Sequence, residues 1–157
     1  VSRPDDEPGD GRGTGRVAAL DLGARRIGVA VSDSRRTLAS PWGTLERSGD
    51  AARDRAAMVA AVVESEATTV VVGLPLSLSG RSGPAARDAL AEAGSLRELC
   101  EPLGIQVVTA DERLTTVEAQ RSLTAAGRKG KAARSVIDSA AAMVLLQAWL
   151  ESVGRRA

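Results

Sequence analysis

Residues 16–33 read RVAALDLGARRIGVAVSD. The first half, 16–23, is a continuous apolar run closed by Asp21-Leu22-Gly23, the pattern of a strand buried on both faces. The second half, 27–33, alternates Ile27, Val29 and Val31 with small residues, which predicts a returning strand. Ala24-Arg25-Arg26 is the turn between them. Outward from this hairpin, 37–45 is a weaker strand, broken by Pro41 and therefore nearer an edge. Ala52, Met58, Val59, Val62 and Val63 give 50–66 a helical spacing, and TTVVVGL at 68–74 is another interior strand. After a loop at 80–83, Pro84 opens a helix that runs to about Cys100 and stops before Pro102. The run 105–110 is a strand ending in Asp111-Glu112-Arg113. Thr115-Thr116-Val117-Glu118 has the form of a capping box for a short helix to Ala126. A basic loop at 127–131 then leads to a last helix over 132–152. The order βββ-α-β-α-β-α-α predicts an α/β fold, a mixed five-stranded sheet with helices on both faces.

Of the 157 residues, 43% are hydrophobic and 26% charged, which excludes wholesale disorder. The chain has no His, so it has no His-based zinc site and no Ser-His-Asp triad. The single Cys100 forbids internal disulfides and suits a reducing cytoplasm; at the end of an amphipathic helix it reads first as a small core residue. No apolar run reaches the roughly 18–20 residues of a membrane span. With no Phe or Tyr and only two Trp, base stacking cannot be a main binding mode. Residues 1–15 are acidic and rich in Gly and Pro, and are expected to form a disordered tail ahead of a domain over 16–157. Without that tail the charge is +3 rather than +1. Six basic residues against the lone acid Glu118 lie between Arg113 and Val136, an excess that suits phosphates or simply a solvated face.

Chemistry must therefore come from carboxylates, hydroxyls, Lys, Arg and the backbone. Asp21 closes the first strand, Asp111-Glu112 close the last, and Asp138 lies in the apolar stretch VIDSAAAMVLLQAWL. Carboxylates in such places are costly unless they are paired or bind a cation. The carboxyl ends of strands are also where α/β sheets gather ligands. Clustered there, carboxylates repel until a divalent cation relieves them, and oxygen-only ligands favour Mg²⁺ or Mn²⁺. Each also has a local role open to it: Asp21 can shape the turn before Gly23, and Asp138 can complete a capping box begun by Ser135. Strand neighbours face opposite ways, so one of Asp111 and Glu112 is expected at the site.

The segments ALDLGARRIGVAVSD (19–33), VVGLPLSLSGRSGP (71–84), ADERLTTVEAQRSL (110–123) and SVIDSAAAMVLLQAWL (135–150) resemble the YqgF/RuvX family over nearly all of 17–150. The resemblance implies a ribonuclease-H-like fold and a bacterial nuclease, either maturing the 5′ end of pre-16S rRNA or resolving Holliday junctions. Carried over by motif, the catalytic and metal-binding residues are Asp21 in DLG, Glu112 in DER and Asp138, with Asp111 as the rival for the middle position. The loop after the fourth strand departs from the family, reading Ser77-Leu78-Ser79-Gly80 where an Asn and an Asp are usual.

The implied chemistry is metal-assisted phosphodiester hydrolysis with Mg²⁺ or Mn²⁺ as cofactor. Arg25, Arg26, Arg113, Lys129, Lys131 and Arg134 are the expected phosphate contacts on the nucleic acid. Junction resolution calls for a two-fold homodimer, whereas trimming an RNA end can be done by a monomer. Two other readings are an RNA-binding scaffold without activity and an actin-like ATPase, which DLGARRIG also resembles. The ATPase fold needs two such domains around a cleft, more than 157 residues provide.

Overall fold

β1 (Arg16–Leu22), β2 (Arg26–Ser32) and β3 (Ala39–Glu46) form an antiparallel meander, and β4 (Ala67–Leu74) and β5 (Gln106–Asp111) extend it in parallel from the other side of β1. The strand order is β3-β2-β1-β4-β5. This computed structural model describes residues 14–75, 83–115, 117–125 and 139–156. Residues 1–13 of the expected tail therefore lie outside the described residues. Thr14 and Gly15 are tied to the body, their carbonyls accepting from Arg36 at 3.3 and 2.8 Å.

Alternation along the strands divides the core in two. Ala18 and Leu20 of β1, Val70 and Val72 of β4 and Val107 of β5 pack under α1 (Ala51–Glu64) and α2 (Pro84–Cys100). Val17, Ala19, Val71 and Ala110 face the other way, onto α3 (Val117–Ala125) and α4 (Ala140–Arg156). β1 is covered on both faces, which explains its unbroken apolar run. Cys100 is a buried core residue of the first cluster. β3 is the edge strand, and Trp42 is the extra residue of a bulge beside Pro41, where the register shifts.

The helix ends follow their local chemistry. The Asp50 side chain caps α1 by accepting from the Arg53 amide at 3.2 Å, and Pro84 takes the first helical position of α2. Thr115 donates its hydroxyl back to the Glu112 carbonyl at 2.9 Å, at the end of a 3₁₀ turn over Glu112–Leu114, and α3 begins at Val117; Thr116, inside the expected capping box, lies outside the described residues. One boundary departs from the sequence reading. The last helix runs on to Arg156, because Val153 still packs on the core and Gly154 does not break it. Its expected start over 132–138, the basic loop and the Ser77–Gly80 departure lie outside the described residues. Among the described residues, no helix is long and apolar enough to cross a membrane.

Candidate active site at the carboxyl ends of β1 and β5

Asp21 follows Val17 and Ala19 in the alternation of β1, so it emerges on the face covered by α4. The turn just beyond it is tight. A Cβ on Gly23 would stand 2.5 Å from the Arg26 carbonyl oxygen, so only glycine fits there. On the β2 side the residue opposite Asp21 is Gly28, and on the β4 side the next position on the same face is Gly73. Asp21 thus stands at a strand end with no side chain on either neighbouring strand beside it.

Glu112 reaches the same place from two strands away. β5 ends at Asp111, whose side chain accepts from the Arg113 amide at 2.8 Å and turns the chain into the 3₁₀ segment. The turn carries Glu112 back over the α4 face, where its carboxyl group hydrogen-bonds that of Asp21. Gly73 makes the approach possible. A Cβ there would lie 3.4 Å from Glu112 Oε1 and 2.8 Å from Leu145 Cδ2. Sequence reading passed over Gly73 because it ends a β-branched run; its signal is a glycine at a strand position where no turn needs one.

The two carboxyl groups strain each other. Burial raises the pKa of Asp21, and the hydrogen bond from Glu112 only partly offsets it. Glu112 is also raised, by burial first, then by the charge of Asp21 and the hydrogen bond between them. Each carboxyl group of the pair therefore holds a proton more tightly than it would in water. Asp111 has the opposite fate: its bonds to Arg113 hold its carboxyl below the usual range. Of the two neighbours, Glu112 is the one brought to Asp21, and Asp111 is spent on the turn.

Asp21 and Glu112 line a cleft of about 520 Å³ with Thr115, Gln120, Ala140 and Leu145. A second cleft of about 410 Å³ meets it at Glu112 and runs over Gly73, Gly23, Ala24 and Arg47. A third, of about 600 Å³, holds Arg25, Arg26 and Arg47. Arg25 and Arg26 are exposed there, and Arg26 lies 3.9 Å from Glu46. Arg113 is paired with Asp111 through its Nε and a terminal nitrogen, so it is not an open cation. Asp138, Lys129, Lys131 and Arg134 lie outside the described residues. Among the described residues, no three metal-ligating side chains gather. The Asp21–Glu112 pair itself suits a divalent cation: both donors are oxygen, both are partly desolvated, and a cation would relieve the strain that raises both pKa values.

A family model described as "RuvX: Holliday junction resolvase" matches residues 15–152. A protein of Mycobacterium tuberculosis (strain H37Rv) named "Putative pre-16S rRNA nuclease" is 47% identical over 154 residues, covering 95% of this chain and 88% of its own. A relative of the same name from Mycobacterium sp. (strain KMS) is 46% identical over 147 residues, covering 93% and 86%. Among solved structures, Thermus thermophilus RuvC in complex with a Holliday junction substrate superposes with a TM-score of 0.58 at 14% identity. That match covers 90% of this chain and 95% of RuvC, and it establishes a RuvC-like, ribonuclease-H-type fold.

Proposed function

The chain belongs to the RuvX family, and from that premise we propose that it is a divalent-metal-dependent nuclease that cuts pre-16S rRNA in maturing its 5′ end. The observation that carries this reading is the contact between Asp21 and Glu112 at the meeting point of two clefts. Asp138 completes the ligand set in this proposal. Ala140, two residues after it, lines the same cleft. Mg²⁺ or Mn²⁺ bound there supplies positive charge at the scissile phosphate and acidifies the attacking water. Asp21, fixed by the strand end and the Gly23 turn, orients that charge. A cation held by the pair would relieve the repulsion between the two carboxylates, so that both serve as anions.

The test is cleavage of a precursor 16S RNA carrying its 5′ leader, with Mg²⁺, beside a mobile four-way DNA junction. Site-specific cleavage of the RNA, lost in Asp21→Asn, supports the proposal; an unimpaired Asp21→Asn protein refutes it. The family description favours a second reading, junction resolution. That reading requires a two-fold dimer making paired symmetric cuts, so the oligomeric state measured with the cleavage assay separates the two. Binding of RNA without cleavage under any divalent cation would point instead to a scaffold.

A further inference from the structure

Arg47 follows directly on β3 and stands where two of the clefts join. It lines the cleft of Arg25 and Arg26, and also the one that reaches Gly73 and Glu112. Its position is fixed twice over. Its amide donates to the Arg25 carbonyl at 2.9 Å, and its Nε donates to the Gly23 carbonyl at 2.7 Å. Gly23 is two residues past Asp21, so the guanidinium is anchored to the turn that holds the carboxylate. Among the described residues, its terminal nitrogens make no hydrogen bond or ion pair. Asp54 lines the same cleft and feels the charge of Arg47, but its Oδ1 accepts from the Ser48 amide at 2.9 Å and the Ser48 hydroxyl at 2.7 Å, and it forms no ion pair with the guanidinium. The side chain is half-buried, unlike the exposed Arg25 and Arg26. A guanidinium held by Nε, with both amino groups open to a cleft, is arranged to grip a phosphate with two hydrogen bonds.

We propose that Arg47 is a positioning residue that holds a backbone phosphate flanking the bond cut, on the hairpin side of Glu112. This rests on the nuclease reading for the identity of the strand, but the phosphate contact itself does not require cleavage. Arg47 carries a fixed geometry that Arg25 and Arg26 lack, so it sets where the strand lies relative to Asp21 and Glu112. The chemical requirement on the ligand is a phosphodiester, not a particular base.

The experiment measures binding of a labelled leader RNA in EDTA at several salt concentrations, and single-turnover cleavage in Mg²⁺. It compares wild type, Arg47→Gln, Arg47→Lys and, as a charge-matched control at the far end of β1, Arg16→Gln. Arg47→Gln is expected to weaken binding roughly tenfold and to lower the salt slope by about 0.7–0.9. Arg47→Lys is expected to restore the slope, because the charge returns. It should leave saturating single-turnover cleavage slow, because Lys cannot keep the Gly23 bond and grip a phosphate together. Thermal melts of each variant identify any loss that comes from folding, and Arg47→Lys then carries the comparison. Binding and slope in Arg47→Gln no different from those of Arg16→Gln would overturn the assignment while leaving the nuclease reading intact. If wild type bound RNA but cut nothing, and Arg47→Gln bound it more weakly, the nuclease reading would fall and the phosphate contact would stand.

Discussion

At the scale of single residues, the site is a pair of carboxyl groups kept together against their own repulsion. Both pKa values are raised, so the folded protein holds protons more tightly there than the unfolded chain. Such groups favour folding below the ordinary carboxylate range, and that contribution is lost as pH rises through the raised values. At neutral pH the metal-free pair is thus a cost. Asp21→Asn is expected to raise the melting temperature of the metal-free protein at pH 7, to do so less as pH falls toward 4, and to abolish cleavage. A melting temperature unchanged or lowered at pH 7 would contradict the electrostatics. The neighbours 111 and 112 should separate cleanly. Glu112→Gln is expected to cost orders of magnitude in turnover, whereas Asp111→Asn should loosen the 3₁₀ turn and reduce activity far less. Single-turnover rates for the two variants decide the ranking. Gly73 makes a third case, since a methyl there meets Leu145 at 2.8 Å and crowds Glu112. Gly73→Ala is expected to cost about 1–3 kcal/mol of stability by overpacking and to weaken divalent-cation binding, which calorimetric titration measures.

At the scale of elements, what could be read from the sequence was whatever has a local signature. The apolar run of β1, the β-branched run of β4, Pro41 at the edge and Pro84 at the start of α2 all carry their meaning within a few residues. So did Asp21 and the Asp111–Glu112 pair, since a carboxylate ending an apolar strand is conspicuous wherever the strand lies. Arg47 and Gly73 were not legible. An arginine after an edge strand looks like any solvated charge until the Gly23 carbonyl, 24 positions earlier, is found beside it. The backward bond of Thr115 was not legible either, since a hydroxyl ahead of a helix gives no local sign of the carbonyl behind it. Gln147 shows the same long-range logic in the scaffold. Buried on α4, it accepts from the Ala39 amide at 2.9 Å and donates to the Thr37 carbonyl at 3.2 Å, joining the edge strand to the helix. Gln147→Ala strands the buried amide of Ala39 and is expected to cost about 1–3 kcal/mol. A lowered urea midpoint with unchanged slope, and faster hydrogen exchange at Ala39, would register it.

At the scale of the whole molecule, a net charge of +1 conceals a local concentration of cations on the hairpin side of the carboxylates. Arg25, Arg26 and Arg47 gather on the hairpin side. Lys129, Lys131 and Arg134 lie outside the described residues; in sequence they fall between α3 and α4, and one residue of each helix, Gln120 and Ala140, lines the cleft that holds Asp21. A polyanionic strand crossing the pair would meet positive charge on the hairpin side, while the acidic centre repels the strand until a cation is bound. Replacing Lys129, Lys131 and Arg134 together by Gln is expected to weaken RNA binding and to lower its salt slope. Each lost phosphate contact removes about 0.7–0.9 from that slope through counterion release. Divalent-cation affinity in the absence of RNA should hardly change, because none of the three offers a ligand oxygen. Saturating turnover should fall less than affinity, since phosphate contacts position the strand without reaching the reacting atoms. The triple variant and Arg47→Gln are expected to add in the logarithm of affinity where the two groups hold separate phosphates. Binding and slope that do not move in the triple variant would mark the connection as a solvated surface and leave the hairpin side to hold the strand alone.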